Sequence, residues 1–592
     1  MNGFVNYLNS ANNLGGNSTG SLAETQVKSC YYDSVKVDRN LGNLITSCVS
    51  SGEHQSFILT GHAGDGKTSI LVQVLKSLGR LQNSESLSVE KEYSDFFYIK
   101  DMSEISAEHQ VESLRKALLA PSTGKTSLLI SNTGPLLKAF ETLIKTERIA
   151  RGMAFDSNDK MALQSALLSQ LDENKDEVLQ IDGYSFILVN IARVDNVPFA
   201  SKILKNIISP SLWEPCNSCS CADRCPIKNN RELLVNHFDR VSAFIDNYYR
   251  YLYENDKRMT IRQMVGQISY AITGNLTCND IYDHHLKEPF FNWNFANLFF
   301  GYIGLNPANE SAQIKGIEQI QNLSLDRVAL DVDYKLFVNQ DYSCFEPKIE
   351  SEIKSLTTKY RRHYQVTNED QLFDEKKSAK ELRFRRAIRR FYLLFSLVDS
   401  SDEVDQIINQ VFGTYYTEYR KKTTSKQSRA SLNQMRNIIF DALFMKNTGF
   451  LPNGRNELPL TLRREDDVFQ NVMIVLGEVS KADLSVIQQK SNSRFEDADD
   501  KHDLYLKMGE IKFRLTLPMV TYFSNLIDGA IASNNNPALT HGISQLDALL
   551  LKVYGEEKPE CEEDCELTVI INTTHGQEIE RFGFDGNHLS IQ

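Results

Sequence analysis

The sequence predicts an α/β fold with a parallel sheet, a helical lid, a mostly helical middle region and a C-terminal α+β module. Short apolar runs alternate with helical segments after residue 55, which is the order that produces parallel crossovers. A glycine-rich loop at Gly61–Thr68 lies between an apolar strand and an apolar helix. The last 140 residues change to a series of short apolar strands interrupted by helices.

The length of 592 residues predicts roughly three or four domains. We expect an N-terminal leader and flank at 1–52, a core at 53–230, a lid at 231–305, a helical region at 306–450 and the C-terminal module at 451–592. Residues 1 to about 25 are rich in Asn, Gly and Ser, which is typical of a flexible leader.

The composition narrows the class of protein. A formal charge of −12 argues against a protein that coats DNA non-specifically, although it is compatible with a local basic groove. The N-terminus lacks a basic region followed by an apolar core, and no apolar run approaches the ~20 residues that span a bilayer. We therefore expect a cytoplasmic protein without membrane contact, whose ten cysteines are reduced.

The glycine-rich loop matches G-x-x-x-x-G-K-[ST] in full, with the strand before it and the helix after it that this motif requires. Its glycines let successive N–H groups point into one concavity, and the helix N-terminus adds its dipole. We predict a P-loop that binds ATP, with Lys67 on the β- and γ-phosphates and Thr68 on Mg²⁺. The predicted nucleotide-binding residues are Gly61, His62, Ala63, Gly64, Asp65, Gly66, Lys67, Thr68 and Ser69.

Polar residues follow two further strands of the predicted sheet. Asp101 follows the strand 95–100, where a carboxylate would hold Mg²⁺, and Glu104 is the candidate for orienting the attacking water. Such a glutamate usually follows the aspartate directly, so an ordinary acidic helix start is the alternative. Asn132 follows the strand 127–131, where a γ-phosphate sensor would lie.

Several arginines are candidates for contact with the phosphates. Thr260 predicts a helix N-cap with Arg262 in its first turn, as in the lid of an AAA-type ATPase, and a helix-surface arginine is the alternative. Arg148, Arg151 and Arg193 are candidates for an arginine supplied to a neighbouring subunit, or are surface residues.

Four cysteines, Cys216, Cys219, Cys221 and Cys225, fall within ten residues. Thiolates at such spacing can wrap one tetrahedral metal, so we predict a structural Zn²⁺ site, with an iron–sulfur cluster or free thiols as the alternatives. His237 is an alternative fourth ligand. The pair Cys561 and Cys565, in an acidic loop, does not make a convincing site.

The stretch Arg383–Tyr392 is strongly basic and carries aromatic residues, and 361–363 and 420–422 add to it. Basic residues interleaved with aromatics suit a nucleic-acid backbone. They equally suit a helix that pairs with acidic residues of the same chain.

These motifs together resemble the DptF (also DndF) family, the P-loop ATPase of DNA-phosphorothioation-dependent restriction. The resemblance rests on Gly61–Thr68, on Lys100 to Glu104, on Asn132 to Pro135, on Cys225 to Asn230, and on Thr260 to Arg262 leading to Gly274. It is specific over about residues 55–280 and looser beyond, where Gly477-Glu478-Val479 fits the same family. Large ATPases of other phage-defence systems share parts of this pattern.

The resemblance implies an ATPase subunit that works with DptG- and DptH-like partners against DNA lacking a phosphorothioate mark. Contact with DNA would run through that complex, and a homo-oligomer stays open. It implies that Gly61–Thr68 bind the nucleotide and that Asp101 holds Mg²⁺. For Glu104, Asn132 and Arg262 the resemblance gives weaker support to a role at the phosphates. A nucleotide-dependent signalling or scaffold switch with little hydrolysis is the main alternative. A nuclease is disfavoured because the sequence has no recognisable acidic cluster for it.

Overall fold

The computed structural model describes residues 1–12, 29–82, 85–174, 176–359, 379–397, 400–462, 472–490, 494–497, 501–530, 537–557, 566–573, 576–585 and 588–591. The chain forms two compact units. The first contains residues 1–253, 257–411 and 492–499, and the second contains 254–256, 412–491 and 500–592. Across the described ranges, no helix is both long and apolar enough to cross a bilayer.

The first unit is an α/β unit. Its helices and strands are α1 (Gly3–Ala11), α2 (Tyr32–Val35), α3 (Asn40–Ser51), β1 (Ser56–Thr60), α4 (Lys67–Ser77), β2 (Glu90–Glu92), β3 (Phe96–Ile99), α5 (Ala107–Leu119), β4 (Thr126–Ile130), α6 (Thr133–Ala150), α7 (Ser157–Glu173), β5 (Leu179–Ile181), β6 (Tyr184–Asn190), α8 (Phe199–Ile207), α9 (Pro210–Asn217), α10 (Pro226–Asn236), α11 (Phe238–Glu254), α12 (Ile261–Thr273), α13 (Cys278–Asp283), α14 (Pro289–Asn292), α15 (Phe295–Phe299), β7 (Tyr302–Ile303), β8 (Asn306–Pro307), α16 (Lys315–Leu323), α17 (Pro347–Lys359), α18 (Ala379–Phe395) and α19 (Ser401–Phe412). A π-helical turn lies at Tyr334–Val338.

The main sheet of this unit has the strand order β2-β3-β4-β1-β6-β5. β3, β4, β1 and β6 are parallel, whereas β2 and β5 pair antiparallel at the two edges. The sheet is therefore mixed, with the predicted parallel strands at its centre. Parallel strands place their carboxyl ends on one edge, so the residues after β1, β3 and β4 come together there.

Helices cover both faces of this sheet, which explains why its central strands are continuous apolar runs. Alternate side chains of β1 divide between two cores: Phe57 and Leu59 pack with α3 and α4, and Ile58 packs with α5, α6 and α7. All three of these side chains are fully buried. This doubly covered sheet confirms the α/β fold class.

The N-terminal residues differ from the predicted flexible leader. Asn2 caps α1 by accepting a hydrogen bond from the Phe4 N–H at 3.0 Å, and Phe4, Leu8 and Ala11 lie buried along one helix face. Their i, i+4, i+7 spacing is the signal that the Asn-rich composition conceals. α1 packs against α12. The remainder of the predicted leader, 13–28, lies outside the described residues.

The basic stretch at 383–392 forms part of α18, and its later arginines point inward. Arg389 pairs with Asp333 at 2.6 Å, and Arg390 pairs with Asp326 at 2.7 Å with only 1% of its side chain exposed. Arg383, in contrast, is exposed. The structure thus supports the interpretation that these arginines pair within the chain, because the buried guanidinium groups cannot reach a nucleic-acid backbone. Residues 361–363 lie outside the described residues.

The second unit combines antiparallel sheets with helices. Its elements are α20 (Thr414–Thr424), α21 (Arg429–Thr448), β9 (Glu457–Leu462), β10 (Val472–Ser480), β11 (Leu484–Lys490), β12 (His502–Met508), β13 (Ile511–Arg514), α22 (Leu517–Ile527), α23 (Pro537–Glu557), β14 (Glu566–Thr573), β15 (Gly576–Asp585) and β16 (His588–Ile591). The strand orders are β16-β15-β14-β10-β9 and β11-β12-β13. The unit begins near Phe412 rather than at 451, because α21 packs on β9 and β11. Cys561 and Cys565 lie outside the described residues.

Candidate functional site

The loop after β1 curls around a concavity in front of α4. Gly61, Gly64 and Gly66 all have positive φ angles, of 145°, 91° and 88°. There is a second reason why position 64 requires glycine. A Cβ there would lie 3.0 Å from Thr260 Oγ1 and 3.3 Å from Arg262 Cβ. The loop therefore has the backbone curvature that a phosphate-binding loop needs, and the start of α12 lies directly against it.

Lys67 begins α4 and folds back over the loop. Its Nζ donates to the carbonyl oxygens of Gly61 at 2.5 Å and His62 at 3.1 Å. Burial lowers the pKa of Lys67, while the carboxylates of Asp65 and Asp101 oppose that shift. The ammonium group thus lies at the mouth of the concavity with two carboxylates near it.

Asp65 is the internal anchor of the loop. Its fully buried carboxylate accepts from the His62 N–H at 2.9 Å and from Arg258 Nη1 at 2.6 Å. Arg258 also donates to the Ile191 and Val194 carbonyls, which follow β6. The sequence reasoning counted Asp65 as a loop residue and missed Arg258, since nothing in the sequence signals a pair 193 positions apart.

A cavity of about 400 Å³ lies at this edge of the sheet. It brings together the predicted Lys67, Asp101, Glu104, Asn132 and Arg262. The loop residues that line it are His62, Ala63, Gly64, Gly66, Lys67, Thr68 and Ser69. Gly61 and Asp65 do not line it and instead shape the loop from behind.

The acidic residues after β3 are held by a short 3-10 turn, Met102–Glu104. Asp101 caps this turn, its Oδ1 accepting from the Ser103 N–H and Oγ, both at 2.8 Å. Met102 is fully buried beneath the turn. The two residues that separate Asp101 from Glu104 are therefore taken up by the turn, and both carboxylates line the same cavity.

Glu104 forms a salt bridge with a neighbouring lysine. Its carboxylate lies 2.9 Å from Lys100 Nζ, and 42% of the glutamate side chain is exposed while the lysine is almost fully buried. The carboxylate must leave this lysine before it can orient a water in the cavity. Asn132 precedes α6 without capping it through its side chain, which lines the cavity.

Arg262 lies in the first turn of α12, as predicted. Thr260 and Gln263 form a capping box at the helix start, and the Arg262 N–H donates to the Gly64 carbonyl at 3.4 Å. Burial lowers the pKa of Arg262. The helix start is thus fixed against the loop, with the arginine side chain on the cavity.

The wall of the cavity also carries apolar side chains, which sequence reasoning missed. Its wall includes Tyr7 and Ala11 of α1, Tyr32 and Val35 of α2, and further apolar residues, namely Val37, Ile203, Ile261 and Val265. Burial raises the pKa of Tyr32 to about 12, opposed by a hydrogen bond from Ser69. The lining therefore combines polar groups with apolar and aromatic side chains, as ligand sites do.

The three other candidate arginines are held by acidic residues and do not line the cavity. Arg148 donates to Asp182 through Nε at 2.6 Å and Nη2 at 2.7 Å, and to Asp159. Arg151 and Arg193 lie on the surface, each 54% exposed and paired with Glu147 and Asp172 respectively. Arg148 is the most firmly fixed of the three.

The four clustered cysteines do not form the predicted cage in this arrangement. Cys225 caps α10 by accepting from the Lys228 N–H at 3.4 Å, and Cys221 Sγ accepts from Arg224 Nη2 at 3.5 Å. Cys216 accepts from the Asn2 amide at 3.4 Å. Three of the thiols thus have separate hydrogen-bond partners, and Cys221 also interacts with Cys219. No three His, Cys, Asp or Glu side chains among the described residues share a possible metal site. The thiols do not fit one tetrahedral metal as placed, so the zinc site stays a prediction.

His237, the alternative ligand, lies elsewhere. It is buried, with Nε2 3.2 Å from Glu346 Oε2, and its ring packs against Phe395.

Comparisons with family models, with curated proteins and with solved structures each returned no match. The site is therefore interpreted from its own geometry.

Proposed function

We propose that the first unit binds ATP and hydrolyses it to ADP and phosphate. The observation that carries this proposal is the single cavity that joins the glycine loop with Lys67, Asp101, Asn132 and Arg262. Loop amides, one lysine and one arginine provide the cationic and donor groups that a triphosphate requires, and the apolar and aromatic lining residues have the character that suits a base.

Each polar residue has a distinct part in this proposal. The loop amides and Lys67 bind the β- and γ-phosphates, and Lys67 exchanges its carbonyl partners for phosphate oxygens. Arg262 binds the γ-phosphate from the α12 side, and Asn132 orients it from the end of β4. Thr68 and Asp101 would hold Mg²⁺, whose charge offsets that of the phosphates.

Hydrolysis requires an oriented water. The water oxygen bonds to the γ-phosphorus as the bond to the β–γ bridging oxygen breaks, and ADP leaves with the electron pair. We assign Glu104 to orient this water and accept its proton, which requires the carboxylate to leave Lys100. In its present pairing, 2.9 Å from Lys100 Nζ, the carboxylate is engaged by the lysine instead of a water.

That pairing supports a second candidate function, a nucleotide-dependent switch with little hydrolysis. The two functions differ in what Lys100→Ala does. If hydrolysis is the function and Lys100 restrains Glu104, the variant has turnover at or above that of the wild type. If the chain is a switch, both bind ATP and neither turns it over.

The test of the main proposal uses Lys67→Ala, with Lys116→Ala as the matched control. Lys116 is a half-exposed lysine that pairs with Glu90 and Glu92 away from the cavity. Lys67→Ala should abolish ATP binding and release of phosphate, and the control should keep both. Turnover retained in Lys67→Ala would overturn the proposal.

We further propose, on the resemblance of the motifs alone, that this ATPase is a subunit of a phage-defence complex that restricts DNA lacking phosphorothioate marks. Its partners would be DptG- and DptH-like subunits in the cytoplasm. Turnover should be measured with the protein alone and with unmodified or phosphorothioated duplex DNA. Stimulation by unmodified DNA would support direct contact, whereas turnover indifferent to both would place DNA recognition in the partner subunits.

A further inference from the structure

A four-residue segment from far along the chain is built into the first unit. Residues 494–497 lie in sequence between β11 and β12, yet they pack with the α/β unit. Phe495 is fully buried in the core on the α4 face of the sheet, beside residues of α3, α4 and β6. The segment is therefore part of the structure around the glycine loop.

Polar contacts fix the segment at both ends. Arg494 makes a bidentate pair with Asp176, with Nε and Nη2 each 2.9 Å from a carboxylate oxygen. The Glu496 carboxylate accepts from the Asp195 N–H at 3.1 Å, and its carbonyl accepts from the Asn40 amide at 2.9 Å. These contacts place Asp497 at the start of α3.

Asp497 pairs with Arg39, which contacts the glycine loop. Its Oδ1 accepts from the Asn40 N–H at 2.7 Å, and its Oδ2 lies 3.4 Å from Arg39 Nε. Both charged side chains are nearly inaccessible, 2% exposed for Asp497 and 3% for Arg39. Arg39 Nη1 in turn donates to the Asp65 backbone carbonyl at 3.2 Å.

Arg39 is tied to the helix behind the loop as well. Its N–H donates to Gln73 Oε1 at 2.9 Å, and Gln73 Nε2 donates back to the Arg39 carbonyl at 3.0 Å. Gln73 lies on α4, so Arg39 contacts both the loop and the helix that follows it. The guanidinium group has only one carboxylate in direct contact among the described residues, that of Asp497.

We propose that Asp497 is a positioning residue for the glycine loop, acting through Arg39 on the Asp65 carbonyl. The inference rests on the proposed ATP site, since it assigns the loop's geometry to a residue that does not line the cavity. Without the carboxylate, the buried guanidinium would reorient towards another acceptor and release the Asp65 carbonyl, because a buried cation needs a partner. The loop amides would then lose the alignment that binds phosphate.

The test compares Asp497→Asn with Arg494→Ala, which removes a half-exposed ion pair from the same segment. Asp497→Asn should raise the KM for ATP about tenfold, the effect of losing one charge-assisted contact, with kcat within about twofold. Arg39→Met should do the same, and the double variant should be no worse than either single one. Arg494→Ala should leave KM unchanged.

A second readout does not depend on ATP turnover. Amide exchange of the peptide containing Gly61–Thr68 should become faster in Asp497→Asn and stay unchanged in Arg494→Ala. If Asp497→Asn only lowers the unfolding midpoint, with KM and loop exchange as in the wild type, the positioning role is overturned. If the wild type neither binds nor hydrolyses ATP, the proposed function fails, and loop exchange still decides the role of Asp497.

Discussion

Asp326→Asn tests whether α18 is held by buried ion pairs. Arg390, with 1% of its side chain exposed, donates to Asp326 at 2.7 Å, to Asn297 Oδ1 at 3.0 Å and to the Gly304 carbonyl at 3.2 Å. Removing one partner of a buried pair costs about 3–5 kcal/mol. Because two neutral acceptors remain, we expect the lower end, a loss of ~3 kcal/mol, which reduces the folding equilibrium constant more than 100-fold.

The assay is urea unfolding followed by tryptophan fluorescence. Both tryptophans of the chain, Trp213 and Trp293, belong to the first unit, so the signal reports that unit. Asp172→Asn is the control, since it breaks a pair whose side chains are 54% and 69% exposed and should cost at most ~1 kcal/mol.

A compensating pair sharpens this test. The double variant Asp326→Leu with Arg390→Met removes both charges and should recover most of the lost stability, because apolar replacements of buried pairs are tolerated. A loss in Asp326→Asn no larger than that of the control would refute the structural interpretation of α18. In Arg390→Met alone, weakened DNA binding without a loss of stability would restore the nucleic-acid interpretation.

Three further predictions concern the candidate site and the cysteines. The lowered pKa of free Lys67 means that it is partly deprotonated in alkaline buffers below its ordinary value of 10.5, and bound phosphate raises that pKa again. ATP binding there should take up protons, measurable by calorimetry in buffers of different ionisation enthalpy, and ATP binding by the wild type without proton uptake would contradict this. Tyr7→Ala should weaken ATP binding about tenfold, within the range of base–aromatic stacking, while tripolyphosphate binding stays constant; equal weakening of both would show that Tyr7 does not contact the base. If the four thiols near Cys221 bind zinc as predicted, a zinc chelator should lower the tryptophan-monitored unfolding midpoint, and an unchanged midpoint with no zinc measured in the protein would contradict the predicted site.

Much of the local structure followed from sequence patterns. The strands predicted at 95–100 and 127–131 match β3 and β4 to within a few residues, and the apolar strand predicted before the glycine loop is β1. These strands are buried on both faces, so their apolar runs are continuous and their ends are marked by polar residues. In the C-terminal module, the helices predicted to interrupt the strands correspond to α22 and α23.

Other features were not predicted correctly from local sequence patterns. The helix α1 was concealed by an Asn-rich composition, although its buried face has helical spacing. The thiol spacing near Cys221 indicated a metal, but spacing alone does not reveal that three of the four sulfurs have hydrogen-bond partners outside the cluster. The charges of α18 indicated a basic surface, whereas the acidic partners Asp326 and Asp333 lie more than 50 positions earlier.

The sequence by itself determined which residues form the glycine loop and which lie beside it. Gly61–Thr68 follow local rules of backbone curvature, and the residues at the ends of β3 and β4 follow from strand order. Only the tertiary structure decided what holds that loop in place. Arg258 reaches Asp65 across 193 positions, and Asp497 reaches Arg39 across 458. Such pairs depend on burial and on which surfaces meet, and no periodicity along the chain encodes the meeting of two distant side chains.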